Sequence, residues 1–422
     1  MSLRAKLGRL SFGPAPSAPP APSPADRGAQ LEALRARMDA IVGAAPSPTP
    51  RPRVDVDDLP FAVERTAAGP LHVRTLRVPG SHRVGRVPVV PSRGASSELL
   101  ALLALDPALA GVDLTRALYL DTETTGLGPG AGTVAFLVGL AFWDVDGREG
   151  GGFVVEQLLV RELGEEAPVL ARVAERIRAA SCLVTFNGKS FDIPVLRTRF
   201  VMQRADWPAE PSHLDLLHVA RRLHKARGIS CNLTGIEREV LGFCREDDVP
   251  SGEVSACYLH FLRTGDASAL LGVVEHNTWD VITMAALVGL YGEPLEGSQL
   301  EPDDLVGVAR TLRRAGELDA ARAAAEAAVG GGGGPESLRA RAEIAKARGD
   351  RGAALSDYEA FAAQVDDPRA RLELAKLYEH YMRAPGRALA VLEAGTSEPE
   401  AATVKRRRRL EGKLHKRGPQ LF

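Results

Sequence analysis

The stretch LYLDTETTGL, residues 118–127, sets Asp121 and Glu123 directly behind an apolar, β-forming run with no basic residue beside them. Two more aspartates lie in comparable settings. Asp192 falls in TFNGKSFDIPVL, just past a short strand and at the start of a helix. Asp280 falls in EHNTWDVITMAAL, inside an apolar helical stretch that includes Val273, Val274, Val281, Ile282, Met284 and Leu287. A lone DxE behind a strand is in most proteins a helix cap or a solvated loop. A desolvated carboxylate, however, is costly unless it is paired or coordinates a metal. Four carboxylates without a compensating lysine or arginine call for a cation.

Oxygen ligands of this kind suit hard ions, Mg²⁺ or Mn²⁺, better than zinc. Two such ions about 3.5–4 Å apart clamp the attacking and leaving oxygens of an in-line phosphoryl displacement. Hydrolysis of a phosphodiester is the natural chemistry.

The elements around these residues alternate between strand and helix. ALYLDTETTG reads as a strand, and GTVAFLVGLAFWDVDG and EGGGFVVEQLLV read as two more around an Asp-Gly turn. EEAPVLARVAERIRAAS reads as a helix, CLVTFNG as a short strand stopped by Asn-Gly, and SFDIPVLRTRFVMQ as a helix with Ser190 at its N-cap. HLDLLHVARRLHKA and LLGVVEHNTWDVITMAALVGLYG carry helical periodicity. Three strands followed by alternating helix and strand describe an α/β layer fold with a mixed sheet, the order of a ribonuclease-H-like fold.

At 422 residues the chain is long enough for two domains. Its formal net charge of −1 gives no global attraction to a polyanion, so nucleic acid would have to be held by local clusters. The four cysteines form no CxxC pair, which points to neither a zinc site nor a disulfide framework and fits a reduced, cytoplasmic setting. No long apolar run or apolar leader is present, so no membrane association is expected.

The divisions expected are four. Residues 1–59 are a disordered Pro/Ala-rich segment with a short amphipathic helix around Leu31, Leu34, Met38 and Ile41. Residues 60–95, with alternating β-branched residues, are a β-hairpin extension, and 96–297 are the α/β domain. Residues 298–422 are alanine- and leucine-rich and align on Gly316, Gly349 and Gly386, close to the 34-residue tetratricopeptide period. Stacked repeats of this sort offer a face to a protein partner, or equally to the α/β domain of the same chain. The terminal KRRRRLEGKLHKRG reads as the end of a capping helix or as a basic arm for nucleic acid.

The trio LDTETTGL, FNGKSFDIPVL and HNTWDVITMAAL resembles the three exonuclease motifs of the DEDD superfamily of 3′–5′ exonucleases, which share the ribonuclease-H-like fold. The stretches HLDLLHVARRLHKARGISCNLTGIEREVLGFCREDD and YLHFLRTGDASALLGVVEHN look more narrowly like the YprB-type ribonuclease-H-like family, whose members often carry tetratricopeptide-like repeats behind the nuclease-like domain. The resemblance covers about residues 60–295.

By position, it implies that Asp121, Glu123, Asp192 and Asp280 ligate the metal, with two ions, Mg²⁺ or Mn²⁺. The superfamily places a tyrosine four residues before the last aspartate or a histidine five before it; here His276 stands four before and Glu275 five before. His276 shares a helical face with Asp280 and is the expected general base, or else a hydrogen-bonding residue behind the ligands.

Thr124 offers a hydroxyl, Asn187 an amide and Lys189 a charge for the terminal nucleotide. Thr122, Thr125 and Gly126 divide between substrate and strand end, and Asp215 between a supporting carboxylate and a helix-terminal acid. Arg221, Arg222, Lys225 and Arg227, with Arg197 and Arg199, either line a phosphate groove or form a solvated helix face. The expected function is a metal-dependent 3′–5′ exonuclease on single-stranded DNA or RNA. The alternatives are an endonuclease on the same fold and a non-catalytic nucleic-acid-binding adaptor acting through its repeats.

Overall fold

The computed structural model describes residues 59–126, 128, 130–144 and 152–417. The Pro/Ala-rich segment through residue 58, the helix expected within it and the Asp-Gly turn at 146–147 lie outside the described residues.

In chain order the elements begin with β1 (Ala62–Thr66), β2 (Gly69–Val78), β3 (Arg83–Val84), β4 (Val87–Pro88), α1 (Ser97–Ala104), β5 (Ala117–Thr124), β6 (Ala135–Trp143) and β7 (Phe153–Leu159). They continue with α2 (Ala167–Ala179), β8 (Cys182–Thr185), α3 (Asp192–Met202), β9 (Ser212–Asp215), α4 (Leu216–His224), α5 (Leu233–Ile236), α6 (Val254–Thr264) and α7 (Ser268–Tyr291). Seven strands form one mixed sheet in the order β1-β2-β7-β6-β5-β8-β9. β5 runs antiparallel to β6 and parallel to β8, and β8 runs parallel to β9. The β1-β2 hairpin extends this sheet through β7.

β5, β6 and β7 are buried along nearly their whole length because helices cover both faces. Side chains along a strand alternate between faces, so Tyr119 enters the core shared with α1, α4 and the C-terminal half of α7. Leu118 and Leu120 enter the core shared with α2, α3 and α6. Val273 and Val274 of α7 join the second core, while Val281 through Tyr291 join the first. Residues 276–280 therefore sit between the two cores, at the end of β5.

Three local expectations change. Ser190 does not cap α3: the helix begins at Asp192, preceded by Phe191 with no side-chain cap, because the Asn187–Phe191 turn is already closed by backbone bonds from Ser190 and Phe191 to the Asn187 carbonyl. HLDLLHVARRL is not all helix, since its first residues pair with β8 as β9. Gly386 lies inside a helix, and Arg383 takes the positive φ of that turn instead.

Beyond the sheet the chain is a run of helices: α8 (Pro302–Ala315), α9 (Leu318–Gly330), α10 (Pro335–Ala347), α11 (Arg351–Ala362), α12 (Pro368–His380), α13 (Pro385–Glu393) and α14 (Glu400–Arg417). Gly316 and Gly349 hold positive φ in the tight turns after α8 and α10. The hydrophobic core does not break at residue 298, because Leu305, Val308 and Leu312 of α8 share a cluster with Leu223 of α4 and Leu287 of α7. Gly307 lets the two backbones meet: a Cβ there would drive into the Leu223 main chain. Beside it, buried Asp304 accepts from Arg227 at 2.7 Å and pairs with His224 Nδ1 at 2.8 Å, and His224 Nε2 meets the Tyr291 hydroxyl at 2.8 Å. The basic terminal segment is α14, whose Arg406, Arg409 and Lys413 gather on the fully buried Glu379.

Candidate metal centre

β5 ends in the pair Asp121 and Glu123, whose side chains share a face two residues apart. The β8–α3 turn brings Asp192 to the same place: Asp192 Oδ1 accepts from the Thr122 N–H at 3.0 Å and from its hydroxyl at 2.6 Å. Asp215 holds that turn by accepting from the Asn187 and Lys189 N–H groups at 2.9 and 3.1 Å, and it also caps α4 through Leu217. α7 supplies His276 and Asp280 one turn apart, with Nε2 and Oδ2 separated by 3.6 Å.

Asn277, between them in sequence, reaches Asp121, its Nδ2 donating to Oδ2 at 2.9 Å. The strand register explains how. Asp121, Gly139, Gln157 and Arg74 stand in one row across β5, β6, β7 and β2. A Cβ at Gly139 would collide with the Asn277 carboxamide, so glycine opens the space that Asn277 fills. Gln157 Nε2 donates to Asn277 Oδ1 at 2.9 Å and to the Val274 carbonyl at 2.7 Å. Arg74 donates to Gln157 Oε1 at 2.6 Å. Each donor fixes the orientation of the next amide, so the Asn277 N–H₂ must face Asp121.

The field at the site is strongly acidic. Burial, followed by the charges of Asp280, Asp192 and Glu123, holds the Asp121 carboxyl well above the usual range. Burial and Asp280 push Glu123 up to about 8. Burial pushes Asp192 up to about 6 against the Thr122 hydrogen bonds. His276 is pulled down by burial, but Asp280, Glu123 and the bond to Asp248 more than offset this and raise it.

One expectation is overturned. The carboxylates are not without a basic neighbour, because Arg245, its side chain only 4% exposed, donates to Asp280 Oδ1 at 2.5 Å and to both oxygens of Glu237 at 2.7 and 2.9 Å. It also reaches the His276 carbonyl at 3.3 Å. Asp248, three residues on, takes His276 Nδ1 at 2.6 Å and leaves Nε2 facing Asp280 and Glu123, the latter at 3.9 Å. The run REDD at 245–248 was visible in the sequence, but no spacing tied it to a helix beginning more than twenty residues later.

Ligand atoms of Glu123, His276 and Asp280 all lie within 4.8 Å of one another. Glu123 Oε1 is buried and has no hydrogen-bond partner, and an orphaned carboxylate oxygen beside two other ligands is what a cation would satisfy. The residues present therefore fit a divalent ion.

The remaining candidates are placed as follows. The Thr124 hydroxyl donates to the Gly126 carbonyl at 2.7 Å. Lys189 lies 3.6 Å from Asp106. Asn187 is exposed with φ 71° and lines a groove beside α4. Arg222 donates to the Leu103 carbonyl, Arg227 is tied to Asp304, Arg197 to Glu210 and Arg199 to Glu166.

Comparison with known proteins agrees with this architecture. The sequence is 34% identical over 247 residues to the uncharacterized protein YprB of Bacillus subtilis (strain 168), a match covering 55% of this chain and 57% of that protein. The chain thus spans little more than half the length of the curated relative. No helix among the described residues is long and apolar enough to cross a membrane. Residues 118–291, from the strand bearing Asp121 to the end of the helix bearing Asp280, match the family RNase_H_2 of the RNase_H superfamily, and the chain carries a ribonuclease-H-superfamily domain.

Proposed function

We propose that this chain is a divalent-metal-dependent nuclease that removes nucleotides from the 3′ end of single-stranded nucleic acid. The carrying observation is the convergence of Asp121, Glu123, Asp192 and Asp280 on one end of β5, with Glu123 Oε1 buried and unpartnered. In this reading the four carboxylates, with His276 beside them, hold Mg²⁺ or Mn²⁺. When bound, such ions supply Lewis acidity and lower the pKa of water.

The protein's own part is positional. Asn277 and Thr122 hold the Asp121 and Asp192 carboxylates by one oxygen each, Oδ2 and Oδ1 respectively. Asp248 holds the imidazole of His276 by Nδ1, leaving Nε2 to accept the proton of the attacking water. Arg245 anchors Asp280 through Oδ1.

The test is Mn²⁺-dependent release of mononucleotides from 3′-labelled single-stranded DNA and RNA, with Asp121→Asn and Asp280→Asn as controls. Activity abolished in both variants supports the reading, and degradation of a circular strand would reassign the chain as an endonuclease.

Arg245 favours a second reading. A guanidinium already bound to Asp280 stands where a cation would otherwise neutralise it, as expected of a binding-only adaptor. Mn²⁺ titration decides between the two, since an adaptor of this kind takes up no ion.

A further inference from the structure

The parallel strands β5, β8 and β9 end side by side, and open α/β sheets bind ligands outside the carboxyl ends of such strands. β5 and β8 pair as far as Tyr119 and Val184, and β8 ends at Thr185, so Phe186 opens the loop at the carboxyl end of the strand beside the one that carries Asp121. Phe186 opens a groove of about 660 Å³ whose apolar floor continues through Leu217, Ile229 and Leu233. Along its rim stand Arg221 and Lys225, one helical turn apart.

These two differ from the basic residues around them. Arg222 and Arg227 are consumed by the Leu103 carbonyl and Asp304, and Arg197 and Arg199 by Glu210 and Glu166. Arg221 and Lys225 are exposed and have no ion-pair partner among the described residues. Asn187 and Asn232 add amides to the same lining.

An apolar floor carrying an aromatic ring, bordered by two unpaired cations at helical spacing, matches a polymer with a charged backbone and unstacked bases. We infer that this groove is the track for the single-stranded part of a nucleic acid, with the chain's backbone on Arg221 and Lys225 and a base on Phe186, leading to the carboxylates at the end of β5. A duplex fits poorly, because its bases are not free to reach the floor. The inference rests on the nuclease reading for its direction, and the experiment separates the two.

A fluorescein-labelled single strand of roughly 12 nucleotides is titrated with the full-length protein in EDTA, so that binding is read without cleavage. Fluorescence anisotropy is followed from about 50 to about 200 mM salt. R221E/K225E is expected to weaken binding at least tenfold at the lower salt. The slope of log Kd against log salt should become shallower by about 1.4, at about 0.7 per lost phosphate contact. R407E/R408E, on exposed positions of α14, should bind as the natural protein does, and a blunt duplex should bind more weakly than the single strand.

Natural-like affinity and salt slope in R221E/K225E, with its circular dichroism unchanged, would overturn the groove while leaving the nuclease reading intact. No binding of any strand by the natural protein would remove both.

Discussion

Asn277 on α7 donates to Asp121 on β5 over 2.9 Å, across 156 positions of sequence, through a gap that exists because residue 139 is glycine. The amide is itself oriented by Gln157, and Gln157 by Arg74. Partners of this kind behind metal ligands typically govern 10–100-fold in metal affinity. Asn277→Ala is therefore expected to weaken Mn²⁺ binding by about tenfold or more by isothermal titration calorimetry. Gly139→Ala should do at least as much, because it displaces the same carboxamide. Unchanged Mn²⁺ affinity in Asn277→Ala would show that Asp121 needs no such restraint.

Arg245 is the buried counter-charge of Asp280 and Glu237. Its replacement by methionine leaves two buried carboxylates without their partner, and breaking a buried pair costs about 3–5 kcal/mol. Urea unfolding of Arg245→Met without metal should show a loss of that order. Added Mn²⁺ should recover part of it, since the ion takes over the charge; a loss that Mn²⁺ leaves untouched would argue against a cation at this carboxylate.

The pH dependence follows from carboxyls raised on folding. Glu123, at about 8, and Asp192, at about 6, bind protons more tightly in the native state than in the unfolded chain. Between the ordinary carboxylate range and these values the native state holds more protons, so stability falls as pH rises. The metal-free protein should thus melt at progressively lower temperature from about pH 4.5 to about pH 8. A divalent ion binds the ionised form, so Mn²⁺ should raise the Tm more at pH 8 than at pH 5.5, as scanning calorimetry can check.

Asp248 fixes His276 by its Nδ1 at 2.6 Å. Asp248→Asn removes the charged acceptor while keeping the shape, and it should lower kcat by about 10²-fold if His276 acts as base. Strand affinity measured in EDTA should stay the same. An equal change in both would make Asp248 a structural residue of the 241–253 segment only.

The sequence was most legible where chemistry sits in local motifs. Asp121 and Glu123 end an apolar strand, Asp192 opens a helix and Asp280 interrupts an apolar one, so each announces itself within ten residues. The fold followed from the same alternation of strand and helix. Less legible was everything that depends on two segments meeting: Arg245 and Asp280, 35 residues apart, or Gln157 and Asn277, 120 apart. Side-chain pairing across a sheet leaves no period in the chain, and Gly139 is one glycine among 42. β9 was hidden because four residues are too few to show alternation before the helical pattern of α4 begins.

The contact of Gly307 with Leu223 bears on how force would travel through the protein. α8 rests on the helix that carries Arg221 and ends within a turn of Lys225, and one core runs beneath both. That core reaches as far as Ile344 of α10, whereas α11 to α14 close a separate core around Phe361, Leu374 and Leu410. α10 enters both, with Ile344 in one and Ala342 in the other, so this one helix is the splice by which the terminal helices are fastened to the rest of the fold.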